Sequence, residues 1–480
     1  MITFIVSMLA LVLGYMLYGR LVERVFGPDG RLTPAISKAD GIDYVVLPGW
    51  KIFMIQFLNI AGTGPIFGAI MGARFGPSAY LWIVFGCIFA GAVHDYLSGM
   101  LSVRHGGASL PELVGAYLGG GTKRVMLIFS VVLLMLVGAV FVYSPALILG
   151  GMCGEGITWV YIWCIVIFVY YFFATMLPID KIIGRIYPLF AIALLFMAVA
   201  LMVVLFVKWP SLPELTDGIA NMTPSLGTIF PCLFITIACG AISGFHATQS
   251  PLMARCIGSE KQGRPLFYGA MITEGVVALI WATIAMYFFY GGANTELGAE
   301  GITAAPTVVT VVSQGWLGVA GSILALLGVV AAPITSGDTA LRSARLIIAE
   351  FLHLEQRTIR RRIYVCVPLF AATLALLWFN IADNDGFNVI WSYFGWANQT
   401  LAVFTLWTLT VYLAVTDRAY VVTLVPAVFM TSVCTSFLLV SNNALALPPV
   451  VGYITALTVA VVSLRLFAWW YVTYKKSKTK

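Results

Sequence analysis

The sequence predicts an all-α integral membrane protein with about thirteen transmembrane helices. Hydrophobic residues make up 61% of the 480 residues and charged residues only 10%, against about 25% charged in typical soluble domains. Apolar stretches of roughly 20 residues, long enough to cross a bilayer as helices, recur along the whole chain. They are continuous, whereas barrel strands alternate in polarity over about ten residues. The composition therefore excludes a soluble enzyme and an outer-membrane barrel.

We number the predicted transmembrane segments as spans 1 to 13. Their approximate bounds are 2–21, 52–73, 78–101, 124–149, 156–177, 183–207, 226–254, 265–290, 307–341, 364–382, 387–415, 419–440 and 448–473. The loops between them are too short to form a separate soluble domain. Residues 1–480 are therefore predicted to form a single polytopic membrane domain.

The distribution of charge predicts the orientation in the membrane. All but two of the 27 Lys and Arg residues fall on one side of the predicted spans, and the exceptions are Arg74 and Lys208. The positive-inside rule makes that side cytoplasmic, with the N-terminus outside and the C-terminus inside. The net charge of +7 then reflects topology, and no nucleic-acid partner is expected.

Several classes of chemistry have no signature in the sequence. The eight cysteines show no CxxC spacing, so neither a zinc site nor a disulfide framework is predicted. There is no GxxxxGK[ST] loop to bind the phosphates of ATP. No cofactor is expected, so transport would depend on an ion gradient or the protein would be a passive channel.

Two spans contain clusters of residues that interrupt membrane helices. Span 2 contains the run 62–65, Gly-Thr-Gly-Pro, and span 7 contains the glycine-rich run 240–251, which ends in Pro251. A freed backbone inside a membrane needs polar partners, and half-helix N-termini suit a carboxylate. The alternative is that Gly and Pro are simply frequent in membrane helices. The predicted substrate contacts are Gly62, Thr63, Gly64, Ser243, Gly244 and His246.

The spacing of the two interruptions favours the binding-site interpretation. They lie five spans apart, so spans 2–6 (residues 52–207) and spans 7–11 (residues 226–415) would form two five-helix repeats of opposite orientation. Each repeat would open with a discontinuous helix. Residues 419–473 would add two C-terminal helices.

Titratable side chains at membrane depth are candidates for ion coupling, because a charge there costs at least about 2.5 kcal/mol. Span 3 carries His94 and Asp95, and span 8 carries Glu274. Asp95 or Glu274 would carry a proton, with His94 as a relay. The alternative for each carboxyl is a purely structural hydrogen bond to a neighbouring segment.

Span 9 ends in a run of hydroxyl side chains. Thr335 and Thr339 share a helical face, and with Ser336 they offer the oxygen ligands that a hard cation such as Na⁺ prefers. Asp338 is predicted to form an ion pair with Arg342, four residues later. The three hydroxyls are therefore the candidate cation ligands.

Five segments together resemble one protein family, the carbon-starvation transporters or CstA family. They are NIAGTGPIFGAIMGA (59–73), GAVHDYLSGMLSVRHGG (91–107), CGAISGFHATQSPLMARCIGSE (239–260), AAPITSGDTALRSARLIIAE (331–350) and FGWANQTLAVFTLW (394–407). The resemblance implies a bacterial inner-membrane protein linked to peptide uptake or to proton-coupled pyruvate uptake. It also implies the LeuT-like fold of the amino acid-polyamine-cation superfamily, in which Thr335-Ser336 resembles a hydroxyl pair at a sodium site.

The sequence thus predicts a LeuT-like symporter, driven by H⁺ or Na⁺, that imports pyruvate or a similar small carboxylate during carbon starvation. Short peptides are the alternative substrate. A passive channel and a starvation sensor are alternatives from other classes. Membrane lipids are expected partners, while the oligomeric state is not predicted.

Overall fold

The described chain is built from helices, in which backbone N–H and C=O groups hydrogen-bond to each other as a membrane interior requires. The computed structural model describes residues 1–40, 44–154, 156–176, 180–352, 354, 359–383 and 386–478, and for residues 180–187 and 350 the backbone alone. Every regular element in these ranges is helical. The predicted all-α class is confirmed.

Eleven helices in the described ranges are long and apolar enough to cross a membrane, and a bent pair of helices makes a twelfth. We label the helices in chain order as α1 Ile2–Phe26, α2a Gly49–Ala61, α2b Gly64–Ala73, α3 Ser78–Arg104, α4 Leu110–Cys153, α5 Ile157–Met176, α6 Asp180–Lys208, α7a Ile229–Gly240, α7b His246–Ala254, α8 Glu260–Tyr290, α9 Ala305–Ala349, α10 Ile359–Ala382, α11 Gly386–Val415, α12 Val421–Val440 and α13 Pro449–Lys478.

The bent pair is α2a and α2b, whose axes meet at 45°. Helix α2a ends at Ala61 because Gly62 adopts φ 44° and ψ −132°, a conformation that side chains other than glycine rarely reach. Helix α2b then begins with Gly64 and Pro65, and proline at the start of a helix loses no hydrogen bond. The glycine-proline run thus sets both ends of the interruption.

The chain is interrupted a second time between α7a and α7b. Residues 241–245 leave the helical path, and α7b restarts at His246. Helix α7a is too short by itself to count among the eleven membrane-crossing helices. Pro251 lies inside α7b and is not its first residue.

Glycines kink two of the long helices. Helix α4 begins at Leu110, where Ser109 and Glu112 form a reciprocal capping box, and Gly119, at φ 86°, kinks it five residues before the predicted start of span 4 near residue 124. Span 9 is predicted as one helix over 307–341, but Gly318 at φ 59° and ψ −142° interrupts it. A single glycine in an apolar run gives little warning of such a kink.

Glycines allow the interrupted helices to pack closely. A Cβ placed on Gly68 of α2b would lie 2.4 Å from the carbonyl oxygen of Ile237 in α7a. On α3, a Cβ at Gly91 would lie 2.2 Å from the carbonyl oxygen of Ala241, inside the second interruption. Helices α2b and α3 therefore touch α7a and the break that follows it at backbone distance.

On the predicted cytoplasmic side, Arg104 at the end of α3 joins four parts of the chain. Its guanidinium donates to both carboxylate oxygens of Glu260, at 3.1 and 3.0 Å, and to the Tyr412 hydroxyl at 3.2 Å. It also donates to the carbonyls of Phe26 and Gly27 and lies 3.9 Å from the Phe26 ring centre. These bonds use all five N–H donors of the arginine.

Candidate functional site

Four titratable side chains converge beside the second interruption. Asp95 of α3 lies between two histidines, 2.7 Å from Nδ1 of His94 and 2.8 Å from Nδ1 of His246. The other ring nitrogen of His246, Nε2, lies 3.5 Å from Oε2 of Glu274 in α8. All four side chains are completely buried. We call Asp95, His246 and Glu274 the carboxylate–histidine array.

The geometry constrains where protons reside in the array. An ionised Asp95 carboxylate only accepts hydrogen bonds, so both neighbouring imidazoles then carry a proton on Nδ1. With His246 positively charged and Asp95 negatively charged, the array is neutral only if Glu274 holds a proton. Loss of that proton leaves a net negative charge at membrane depth, which costs at least about 2.5 kcal/mol. A neutral array with these two charges therefore carries its remaining proton on Glu274.

Several buried polar atoms near the interruptions have no hydrogen-bond partner among the described residues. They are both carboxyl oxygens of Glu274, Nε2 of His246, Nε2 of His94, and the hydroxyl of Thr63. Native proteins seldom leave buried polar atoms unpaired, and functional sites that take up water or ligand are one setting where they do. Such atoms mark the region around the array as a candidate binding site.

The residues predicted to contact substrate lie on the two interruptions, which approach each other. A Cβ placed on Gly64 would lie 2.4 Å from the Cβ of Cys239, and the Cys239 sulfur lies 3.5 Å from the hydroxyl of Ser243. Thr63 and Ser243 are fully buried. Gly62 and Gly244 are buried as well, so both breaks are closed to solvent in this conformation.

The predicted cation ligands lie on α9. The hydroxyl of Thr335 donates to the carbonyl of Ala332 at 2.8 Å, and that of Thr339 to the carbonyl of Thr335 at 3.1 Å. Both hydroxyls thus donate to carbonyls of their own helix, and a hydroxyl that donates keeps lone pairs with which it can accept or coordinate. Ser336 is buried, with 7% of its surface exposed.

Helix α4 connects these hydroxyls to the first interruption. A Cβ placed on Gly62 would lie 3.6 Å from the Phe141 ring. The Phe141 carbonyl lies 2.9 Å from the Tyr171 hydroxyl, which is also 3.0 Å from the carbonyl of Pro333 in α9. The predicted pair between Asp338 and Arg342 is present at 3.6 Å.

Sequence reasoning missed the part that Asn398 of α11 plays in this site. Its Oδ1 accepts from the backbone N–H of Phe245 at 2.7 Å, and its Nδ2 donates to Ser243 at 2.9 Å. Its carbonyl accepts from the backbone N–H of Gly244 at 3.1 Å. The signal in the sequence is the pair Asn398 and Gln399 within an apolar span, because buried amides need partners.

Solved transporter structures share this fold at low sequence identity. A manganese transporter from Eremococcus coleocola, solved as a point mutant, aligns with a TM-score of 0.59 and 11% identity over 90% of this chain and 98% of that one. A Na⁺-coupled sialic acid symporter aligns with a TM-score of 0.50 and 14% identity over 96% of this chain and 98% of that one. Both alignments cover most of each chain, so this chain shares its helical fold with these two solved transporters.

Several sequence relatives are named as transporters. A "Peptide transporter CstA" of Bacillus subtilis is 28% identical over 89% of this chain and 88% of its own length. The "Pyruvate/proton symporter BtsT" of Escherichia coli is 29% identical over 60% of this chain and 49% of its own length. An "Uncharacterized membrane protein" of Haemophilus influenzae is 46% identical over 60% of this chain and 91% of its own length. The transporter names point away from enzyme activity.

A family model extends the resemblance over nearly the whole chain. The model for "Carbon starvation protein CstA" matches residues 1–162, 150–320 and 298–437. These ranges include both interruptions, the carboxylate–histidine array and the hydroxyls of α9. The chain therefore belongs to the CstA family of carbon starvation proteins.

Proposed function

We propose that the chain is a proton-coupled secondary active transporter that imports pyruvate or a similar small carboxylate across the bacterial inner membrane. The observation that carries this proposal is the carboxylate–histidine array, in which a buried histidine bridges two carboxylates beside a broken helix. A neutral array that must gain and lose one proton is a physical basis for coupling.

The proposed site for substrate is the space between the two interruptions. The N-termini of α2b and α7b carry the partial positive charge of the helix dipole, which favours a carboxylate. The Thr63 hydroxyl adds a buried donor without a partner among the described residues. His246 is the first residue of α7b, so it lies where substrate and the coupling proton would meet.

The proposed architecture completes the count of thirteen spans. Helices α7a and α7b would together form the span that the eleven long helices and the bent pair leave out. Spans 2–6 and 7–11 would form the inverted repeat, and the N-terminus would lie outside the cytoplasm. Close packing of α2b on α7a at Gly68 supports the pairing of the two discontinuous helices.

Sodium is the alternative coupling ion, and Thr335, Ser336 and Thr339 would be its ligands. The array favours the proton, because all three of its members titrate and none of the three hydroxyls does so in the physiological range. A relative named as a pyruvate/proton symporter agrees with this choice. Relatives named as peptide transporters keep short peptides as the second candidate substrate.

The test is uptake of labelled pyruvate and of a labelled dipeptide into proteoliposomes, with proton and sodium gradients imposed separately. We expect pyruvate to accumulate when a proton gradient is directed inward, with no requirement for sodium. Accumulation of the dipeptide alone would overturn the choice of substrate, and dependence on sodium would overturn the choice of ion. Equilibration without accumulation under either gradient would indicate a passive channel.

A further inference from the structure

Asn398 makes an unusual set of contacts for one residue in the middle of a membrane helix. It is fully buried, and its amide reaches the Phe245 backbone, the Ser243 hydroxyl and, at 3.2 Å, the Cys239 sulfur. Its backbone carbonyl accepts from Gly244. One residue of α11 thus binds two consecutive backbone donors and two side chains at the α7 interruption.

These contacts replace helical hydrogen bonds that the interruption removes. Lipid offers no partner to a freed backbone N–H, so Gly244 and Phe245 need an acceptor from the protein. The approach is close: a Cβ placed on Gly244 would lie 2.4 Å from the carbonyl oxygen of Asn398 and from the backbone nitrogen of Ala402. Helix α11 therefore determines where the α7 backbone lies just before α7b begins.

His246 follows Phe245 directly, so the position of its ring depends on this anchor. The ring lies 2.8 Å from Asp95 but 3.5 Å from Glu274, which is longer than an ordinary hydrogen bond. Asp95 and Glu274 are on α3 and α8, whereas the anchor is on α11. A shift of α11 relative to α8 would consequently change the longer contact, between His246 and Glu274, most easily.

We infer that Asn398 is a positioning residue that links the position of α11 to the contact between His246 and Glu274. The inference rests on the proposed function for its effect on proton coupling. In this role Asn398 touches neither substrate nor proton. It holds the break so that His246 can bridge the two carboxylates, and movement of α11 opens or closes the bridge.

The matched control is Gln399, the next residue on the same helix. It is also fully buried, and its amide donates to the carbonyl of Phe234 in α7a, away from the interruption. Asn398→Ala and Gln399→Ala thus remove buried amides of similar size that both contact α7a or its continuation. Only the first removes the side-chain contacts to Ser243 and Phe245, while the main-chain bond between Gly244 and residue 398 remains in both variants.

The first measurement is hydrogen–deuterium exchange of the full chain in detergent, followed on peptides covering residues 239–254. Because a buried donor loses its partner, we expect Asn398→Ala to speed exchange at the interruption on the order of tenfold. Gln399→Ala should leave that exchange unchanged. Equal exchange in both variants would overturn the positioning role. If Asn398→Ala cannot be purified as a monodisperse protein, Asn398→Leu, which keeps most of the side-chain volume but loses the acceptor for Phe245, serves in its place and should show the same faster exchange.

The second measurement is transport as a function of pH, together with exchange of labelled for unlabelled pyruvate across the membrane. In Asn398→Ala, proton-driven accumulation of pyruvate should fall about tenfold more than pyruvate exchange falls, and the pH profile of transport should shift. If pyruvate accumulation and pyruvate exchange fell by the same factor, with an unchanged pH profile, the link between Asn398 and the array would be overturned. If the wild-type protein shows no proton-driven accumulation, the proposed function fails, while the deuterium measurement still decides whether Asn398 holds the break.

Discussion

Replacement of Arg104 is the perturbation whose magnitude the structure defines best. Arg104→Ala removes five hydrogen bonds at once. The fully buried carboxylate of Glu260 then keeps only the half-exposed Arg31, 3.7 Å away, as an arginine neighbour among the described residues. Breaking one partner from a buried ion pair costs about 3–5 kcal/mol, because the remaining charge is uncompensated. The lost bonds to Phe26, Gly27 and Tyr412 belong to the same network, so their cost is not additive.

Three companion variants separate charge from packing. Arg31 also approaches Glu260, at 3.7 Å, but half of its side chain is exposed, so Arg31→Ala should cost only about 0–1 kcal/mol. Adding Glu260→Gln to Arg104→Ala removes the uncompensated charge and should recover part of the loss. Arg104→Lys should be intermediate, since lysine offers three donors from one point in place of a planar set of five.

The assay is thermal and denaturant unfolding of purified protein in one detergent, with the four variants measured in parallel. The expected order of stability is wild type, Arg31→Ala, Arg104→Lys, the double variant, and Arg104→Ala last. The reasoning is refuted if Arg104→Ala costs no more than Arg31→Ala. It is also refuted if Glu260→Gln destabilises the Arg104→Ala background further.

Three further predictions concern other parts of the chain. Gly68→Ala should destabilise by about 1–3 kcal/mol, because its Cβ would meet a backbone carbonyl at 2.4 Å, whereas Gly120→Ala, with open space around it, should be neutral in unfolding assays. Thr335→Ala should leave proton-driven uptake in sodium-free buffer within about twofold of wild type, since its hydroxyl is no member of the array. Hydrogen bonds from Lys475 and Lys478 hold the pKa of Asp417 at about 2, below its ordinary 3.8. This depressed pKa makes the contact stabilising above about pH 4 and weaker as the pH falls toward 2, and Asp417→Asn should remove that dependence from deuterium exchange at the end of α13.

Each of these predictions has a contradicting result. A Gly68→Ala protein as stable as Gly120→Ala would show that α2b and α7a separate at no cost. Loss of uptake in Thr335→Ala without sodium would place a hydroxyl of α9 in the proton path. Equal pH dependence in Asp417→Asn and wild type would show that the lysine contacts do not order the end of α13.

Local chemistry explains how much of the fold the sequence could predict. Glycine and proline act on their own backbone, so the runs at 62–65 and 240–251 reveal where helices are interrupted without any knowledge of neighbours. The start of α4 has an equally local signal in Ser109 and Glu112, which is recognisable as a capping box. The kink at Gly318 has no such signal, because one glycine among apolar residues is common in membrane helices.

The candidate site was predictable only as a set of separate residues. Charge at membrane depth marks Asp95 and Glu274 individually, and the interruption marks His246. Their convergence depends on how α3, α7b and α8 pack, and a single sequence carries no direct record of that packing. The anchor on Asn398 was missed for the same reason. An amide in an apolar span indicates that hydrogen-bond partners are required, but the sequence does not identify them.

The most direct test of the account measures proton and pyruvate movement together in sodium-free proteoliposomes that contain a pH-sensitive dye. Addition of pyruvate should acidify the interior of wild-type vesicles faster than that of empty liposomes. Glu274→Gln vesicles should exchange labelled pyruvate yet show no acidification above the empty control. Acidification of Glu274→Gln vesicles at the wild-type rate, or pyruvate entry into wild-type vesicles with no proton, would contradict the claim that the carboxylate–histidine array carries the coupling proton.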